Sequence, residues 1–171
     1  THTHTHTHTH THTHTHTQVR FESSGCLDSI LITGAGGSQT DCAIEVSSGG
    51  CVQLHSCIID GAWWKAAVVL SGSGSKLTVM SSSVHNSEGR GMLVEGGGQA
   101  VLERGCKMDG NGKEGCVVSG RGSSLSAQDS SISKSSDDNV YVRSGATAQL
   151  VRCTLDGSST GYGLNVCNQF S

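Results

Sequence analysis

Apolar residues recur along this chain at a regular interval of 24 positions. One apolar column consists of Val46, Leu70, Val94, Val118, Val142 and Val166. A second column lies two residues upstream and consists of Ile44, Val68, Met92, Cys116, Val140 and Leu164. Residues two apart in a β-strand point to the same face of their sheet. Each repeat is therefore predicted to contribute one strand whose two apolar side chains face a core.

Small residues follow the first column at a constant distance of two positions. They let the backbone turn tightly, so the strand is predicted to end there in every repeat. These residues are Ser48, Gly72, Gly96, Gly120 and Ser144.

Two further apolar sets predict two more strands in each repeat. One set, with looser spacing, is Ile59, Val84, Met108, Ile132 and Leu155. The other set pairs Val52, Leu77, Val101, Leu125 and Ala148 with Leu54, Val79, Leu102, Ala127 and Leu150. Three short strands per repeat predict an all-β fold, a parallel β-helix (β-solenoid) of about six coils.

Segments such as CVQLHSCIIDGAWWKAAVVLSGSGS and AVLERGCKMDGNGKEGCVVSGRGS resemble the right-handed parallel β-helix family, the pectate-lyase-like repeats. The resemblance covers residues 18–171 and implies a right-handed solenoid there, preceded by an extended, non-globular Thr-His repeat at residues 1–17. That fold carries lyases, hydrolases, adhesins and structural proteins alike, so the resemblance implies no single activity.

The ends of the predicted solenoid carry no amphipathic helix, either before Val19 or after Val166. Such a cap usually covers the unpaired strand edges of a solenoid. We therefore expect copies of this chain to assemble end to end into a filament.

The chain opens with an uninterrupted alternation of Thr and His over 17 residues. Dense, regular Thr is typical of O-glycosylated stalks, and the repeat resembles the glycosylated stems of extracellular fibres from algae and microbes. Covalent O-linked glycans are therefore expected on one face of an extended stem. The acceptors are Thr1, Thr3, Thr5, Thr7, Thr9, Thr11, Thr13, Thr15 and Thr17.

The histidines of the repeat support an alternative interpretation. Alternating imidazoles bind divalent Ni, Zn or Cu, so the repeat is alternatively a metal-binding tail or an affinity tag. The ligands would be His2, His4, His6, His8, His10, His12, His14 and His16. Ice binding is a weaker interpretation, because it requires Thr ladders across stacked coils and the body of the chain lacks them.

A polysaccharide lyase or carbohydrate-binding protein is the alternative to a structural role, and the resemblance would imply carboxylates that bind calcium beside an Arg or Lys base. Asp60, Asp109 and Asp156 each precede Gly, which favours a turn. They also fall on non-adjacent coils, too far apart to share one calcium ion. Asp137 and Asp138 are interpreted as a solvated turn, with a weak cation site as the alternative. We therefore expect no catalytic residues, no enzymatic activity and no cofactor.

Two pairs of side chains outside the repeat also bear on function. Trp63 and Trp64 are adjacent, so at least one ring is expected to face away from the core. Both are candidates for contacting a sugar or a neighbouring subunit. His55 and His85 lie at different coil positions with no Cys or carboxylate at metal-binding spacing, and they are interpreted as surface residues rather than metal ligands.

Composition narrows the possible environment and partners. The 11 basic and 14 acidic residues are spread singly, and this pattern indicates no nucleic-acid partner. No apolar run approaches the ~20 residues of a membrane span. The 8 cysteines favour an extracellular or cell-surface protein. Cys26 and Cys51 lie about one coil apart and are the best candidates for a disulfide.

Overall fold

The computed structural model describes residues 19–35 and 42–167, and the regular structure of these residues is entirely β-strand. The strands form three parallel sheets; each of six coils adds one strand to each sheet, and the seventh, incomplete coil adds a strand to the first sheet only. The predicted parallel β-solenoid is therefore confirmed. The Thr-His repeat lies outside the described residues, so the expectations about it remain predictions.

The strands are numbered along the chain. The first sheet has seven strands in the order β1 (Val19–Phe21), β4 (Ile44–Val46), β7 (Ala66–Ser71), β10 (Arg90–Glu95), β13 (Cys116–Ser119), β16 (Val140–Arg143) and β19 (Leu164–Cys167). The second has six in the order β2 (Gly25–Asp28), β5 (Cys51–His55), β8 (Lys76–Met80), β11 (Gln99–Glu103), β14 (Ser124–Gln128) and β17 (Thr147–Val151). The third has six in the order β3 (Leu31–Ala35), β6 (Ile58–Ala62), β9 (Ser83–His85), β12 (Lys107–Asp109), β15 (Ser131–Ser133) and β18 (Thr154–Asp156).

The register of the first sheet confirms both apolar columns. Val46 pairs with Leu70, and Leu70 pairs with Val94. The same pairing continues one coil at a time until Val142 meets Val166. The inward side chains of the middle coils are fully buried in one continuous core that runs along the solenoid. Burial of these stacked side chains is the main stabilising contribution to the fold.

One predicted column of the second sheet is wrong by one residue. Leu77 pairs with Ala100 rather than with Val101, and Ala100 then pairs with Leu125. Ala100 is buried, whereas Val101 lies on the outer face and is half-buried. Val101 and Leu102 are chain neighbours and face opposite sides of the strand. The prediction assigned Val101 to the core because Val is apolar, but Val is also common on the outer face of strands.

The predicted turns after the first-sheet strands are confirmed by their backbone angles. All five small residues have positive φ, between 54° and 90°, including the non-glycine residues Ser48 and Ser144. Each strand of the first sheet therefore ends at the same left-handed corner.

A second left-handed corner follows each strand of the second sheet. It is formed by non-glycine residues whose φ angles lie between 49° and 59°. This conformation costs about 1–2 kcal/mol for a residue with a Cβ atom, so neighbouring coils must hold it in place. The amide of Ser29 donates to the carbonyl of His55, and that of Ser56 donates to Met80. The corner residues are Ser29, Ser56, Ser81, Arg104, Asp129 and Arg152.

A smaller apolar cluster lies on the outer face of the first sheet. Val69, Leu93 and Val117 point away from the main core, yet each is buried. Charged side chains form ion pairs beside this cluster, namely Lys65 with Glu95 and Arg90 with Glu114. Long charged side chains shield apolar surface with their aliphatic parts. This shielding explains why the outer face of the first sheet carries apolar residues where polar ones would usually lie.

The corrected register predicts unequal effects of two neighbouring substitutions. Leu102→Ala removes a side chain that is 1% exposed and should lower the free energy of unfolding by about 2–5 kcal/mol. Val101→Ala is the matched control and should cost about 0.5 kcal/mol or less, because it lies on the outer face. Urea unfolding measures both values. A larger loss for Val101→Ala would contradict the register.

Candidate functional site

The three candidate aspartates of a lyase-like site lie in one row on the third sheet. Asp60 pairs with His85, and His85 pairs with Asp109. Ser133 then separates Asp109 from Asp156. The prediction that these acids occupy non-adjacent coils is confirmed. Their carboxylates are two strand spacings apart, about 9–10 Å, and do not converge on one calcium ion.

His55 and His85 are surface residues, as interpreted, and each also contacts an aspartate of the preceding coil. His55 Nδ1 lies 3.1 Å from Asp28 Oδ1, and His85 Nδ1 lies 3.6 Å from Asp60 Oδ1. Asn86 Nδ2 also donates to Asp60 Oδ1 at 2.8 Å. These partners are one coil apart, so stacking brings together residues that are distant in the chain.

These contacts do not form a metal centre. Within residues 19–35 and 42–167, no group of three or more His, Cys, Asp or Glu side chains is placed to hold a metal ion. Each histidine instead joins two neighbouring coils on the surface through its carboxylate partner.

Asp137 and Asp138 secure the last coil of the described solenoid. Asp138 is 9% exposed and accepts hydrogen bonds from the Tyr162 amide at 2.7 Å and from Asn165 Nδ2 at 2.9 Å. Asp137 Oδ1 accepts a hydrogen bond from Thr160 Oγ1 at 3.1 Å. The turn was predicted, but its description as solvated is wrong for Asp138. These contacts are structural, because they join the last coil to the one before it.

The predicted bridge between Cys26 and Cys51 is not formed, and both cysteines are free and exposed. The reason is the register, in which Cys26 lies opposite Gln53 and Cys51 lies opposite Lys76. Cys51 is therefore displaced by two residues along its strand from the position opposite Cys26. This offset separates the two Cα atoms by about 8 Å, beyond the reach of a disulfide.

Three other cysteines belong to an inner row at the second left-handed corner. Cys57 Sγ donates to the Leu27 carbonyl at 3.4 Å, and Cys106 Sγ donates to the Val79 carbonyl at 3.2 Å. Within its own coil Cys57 Sγ also donates to the His55 carbonyl two residues earlier at 3.3 Å, and serines make this second bond in the intervening coils, as Ser82 Oγ does to the Met80 carbonyl at 2.7 Å. The row runs Ile30, Cys57, Ser82, Cys106, Ser130 and Cys153.

Burial suppresses ionisation of the inner thiols. Desolvation raises the pKa of both Cys57 and Cys106 above its usual value, and it raises the pKa of Cys116 to about 12. The thiolate is the reactive form of cysteine. All three are therefore small core residues held in the thiol form, and Cys57 and Cys106 also donate hydrogen bonds.

The two tryptophans differ in exposure, as their adjacency predicts. Trp63 is 1% exposed and belongs to the main core, whereas Trp64 is 47% exposed. Burial removes Trp63 from the candidate contacts with a sugar or a subunit. Trp64 remains a candidate.

The two ends of the described solenoid differ in shape. At the first coil the Phe21 ring lies directly over Gly25, where a Cβ atom would come within 2.5 Å of Phe21 Cε1. Leu27 and Ile32 of the same coil are almost fully buried. At the last coil Leu164 is 46% exposed and Val166 is 58% exposed.

A concave apolar cavity of about 390 Å³ lies at the end formed by the last coil. Its walls come from the first and second sheets, at β16, β17 and β19. The lining residues are Val142, Ala146, Thr147, Ala148, Leu150, Leu164 and Val166.

An exposed ion pair lies on the same end of the solenoid. Arg152 Nη2 donates to Asp129 Oδ2 at 2.8 Å. This hydrogen bond, together with one from Gln128, lowers the pKa of Asp129 to about 2. Arg152 belongs to the corner that follows β17, so it lies at the last strand of the second sheet.

Residues 42–171 match the family model described as "Right handed beta helix region". The match covers well over half of the chain, which therefore belongs to this family. Neither the curated proteins nor the solved structures contain a match. The described residues include no helix with the length and hydropathy that a membrane crossing requires.

The free thiols predict a specific alkylation pattern. Iodoacetamide at pH 8, without a reductant, should modify Cys26 and Cys51 in the folded protein and leave Cys116 unmodified. Peptide mass mapping measures the occupancy of each cysteine. Unfolding in urea is the control, and there all 8 cysteines should react. Protection of Cys26 and Cys51 until a reductant is added would contradict the free state of both thiols.

Proposed function

We propose that this right-handed β-helix protein is a non-enzymatic structural subunit of an extracellular filament. The proposal assigns assembly to the β-helix and assigns O-linked glycans to the Thr residues of the preceding stem. The observation that carries it is the exposed apolar end at the last coil, where Leu164 and Val166 face solvent.

An exposed end of this kind favours self-association. The two apolar columns of the first sheet are fully buried in the middle coils. Their last members, Leu164 and Val166, are exposed and line an apolar cavity. Contiguous exposed apolar surface marks interaction sites in soluble proteins. The last strand of each sheet also has one edge with no strand beside it among the described residues, and such edges pair readily with another chain.

The surface chemistry of the described coils also supports a structural role. His85 and Ser133 separate the three candidate aspartates, and Asp138 is occupied in holding the last coil. A lyase would require carboxylates and a base that converge on one bound sugar. The described contacts of these residues instead join neighbouring coils.

The filament and the glycans are tested together on protein isolated from its natural source. Intact mass spectrometry should give a mass above the 17.6 kDa of the bare polypeptide, with the excess located on residues 1–17. Electron microscopy should show filaments. Dispersed monomers with the mass of the bare polypeptide would overturn the proposal.

The non-enzymatic part of the proposal has its own test. Incubation with polygalacturonate, with and without calcium, should leave the polymer length and the absorbance of unsaturated products unchanged. A known pectate lyase under the same conditions is the positive control. Calcium-dependent cleavage by this protein would overturn this part of the proposal and leave filament formation as a separate question.

A further inference from the structure

We propose that Cys26 and Cys51 form a two-thiolate site for a soft monovalent metal ion, Cu(I), on the outer face of the second sheet. The ion lies between the two sulfur atoms and joins the first two coils. This inference is independent of the proposed filament, because it uses neither an end of the solenoid nor the stem.

Both thiols project from the same face of neighbouring strands. Cys26 lies on β2 and pairs with Gln53 on β5, and Cys51 lies two residues before Gln53 on that strand. Residues two apart in a strand share a face, and all three of these side chains are exposed. Both thiols are also free. The two cysteines are therefore diagonal neighbours on an open surface.

Their separation is too long for a direct bond and suits an inserted ion. One strand spacing and two residues of rise place the two Cα atoms about 8 Å apart, whereas a disulfide requires about 4.4–6.8 Å. A two-coordinate ion replaces the S–S bond of about 2.05 Å with two metal–sulfur bonds of about 2.3 Å each, which lengthens the bridge by about 2.5 Å. The Cα–Cα range that such a bridge spans is then roughly 7–9 Å. The separation of Cys26 and Cys51 falls inside it.

The number of available ligands selects the class of metal. Within residues 19–35 and 42–167, no group of three or more His, Cys, Asp or Glu side chains is placed to hold one ion. His55 lies on the same strand as Cys51, but its Nδ1 contacts Asp28. Structural Zn(II) sites use four protein ligands, whereas thiolates select Cu(I), which accepts two sulfurs in a line. A pair of thiols therefore favours Cu(I) over Zn(II).

A lysine beside the pair balances the charge of the bound form. Cu(I) held by two thiolates carries one negative charge. Lys76 is exposed and pairs with Cys51 across β5 and β8, on the same face as both sulfurs. Asp28 lies two residues from Cys26, but its carboxylate contacts His55 Nδ1 at 3.1 Å. The surroundings of the pair therefore favour an anionic complex.

Binding exchanges protons for the metal and changes no oxidation state. Each thiol loses its proton to water as its sulfur forms a bond to Cu(I), so two protons are released for each ion. The inner thiols of Cys57, Cys106 and Cys116 do not compete for the ion, because the core encloses them.

Protection from alkylation tests the site on the full chain and reports each cysteine separately from the Thr-His repeat. Reduced protein is kept under nitrogen with Cu(I) buffered by a chelator and is then exposed briefly to iodoacetamide. Tandem mass spectrometry should show a roughly tenfold drop in alkylation at both Cys26 and Cys51, because a metal-bound thiolate is not free to attack. The partly exposed Cys153 is the internal reference and should react equally with and without Cu(I).

Single substitutions distinguish a shared ion from separate binding. In Cys51→Ser, Cys26 should react at its metal-free rate although Cu(I) is present, and Cys51 should do so in Cys26→Ser. Zn(II) buffered to the same free concentration should protect neither thiol. Thermal melting of both variants should match the wild type, since both positions are exposed.

A displaced thiol is the matched control for the geometry. The double variant Cys51→Ser with Gln53→Cys places the second thiol directly opposite Cys26, about 4.8 Å away and within disulfide range. Mild oxidation should therefore close a disulfide within this variant chain and not within the wild-type chain. A non-reducing peptide map measures both outcomes.

Four results would overturn the proposal. They are alkylation of Cys26 and Cys51 that Cu(I) leaves unchanged, protection of Cys26 that survives Cys51→Ser, equal protection by Zn(II), and a disulfide between Cys26 and Cys51 within the wild-type chain. None of them bears on whether the protein forms filaments, so the proposed function stands or falls on its own tests.

Discussion

The backbone hydrogen bonding between successive coils is the interaction on which the rest of this structure depends. It sets one strand spacing between equivalent residues, so each side chain packs on its counterpart in the coil before and the coil after. Inward counterparts such as Leu70 and Val94 merge into one core. The same stacking holds Ser29 and Ser56 in left-handed conformations that an isolated strand would avoid.

Stacking also decides the chemistry of the surface, because a side chain meets residues about one coil away more closely than its sequence neighbours. His85 is placed against Asp60 in this way, and Arg152 against Asp129. Both contacts involve an Asp with an exposed side chain and join adjacent coils. A row that alternates acid with His or Ser therefore spreads its charge along the solenoid instead of concentrating it at one point.

The predictability of each feature follows from how constant the coil length is. The first sheet advances 24 residues per coil from Val46 to Val166, so its columns were visible in the sequence. The second sheet advances by 27 residues from Leu27 to Leu54 and by 23 from Val79 to Leu102, because the corners vary in length. A prediction based on a nearly constant coil length therefore placed Val101 in the core. It also predicted a disulfide between Cys26 and Cys51. The partners of His85 and the burial of Asp138 were hidden for the same reason, since both depend on the register.

The two ends of the described solenoid differ in how far they cover the core. Phe21 covers the interior of the first coil by using the space above Gly25. The last coil has no counterpart of Phe21 among the described residues, and Leu164 and Val166 remain exposed there. The inward columns are therefore covered by the chain's own side chain at the first coil, and they lose their burial at the last described coil because no further strand packs on them there.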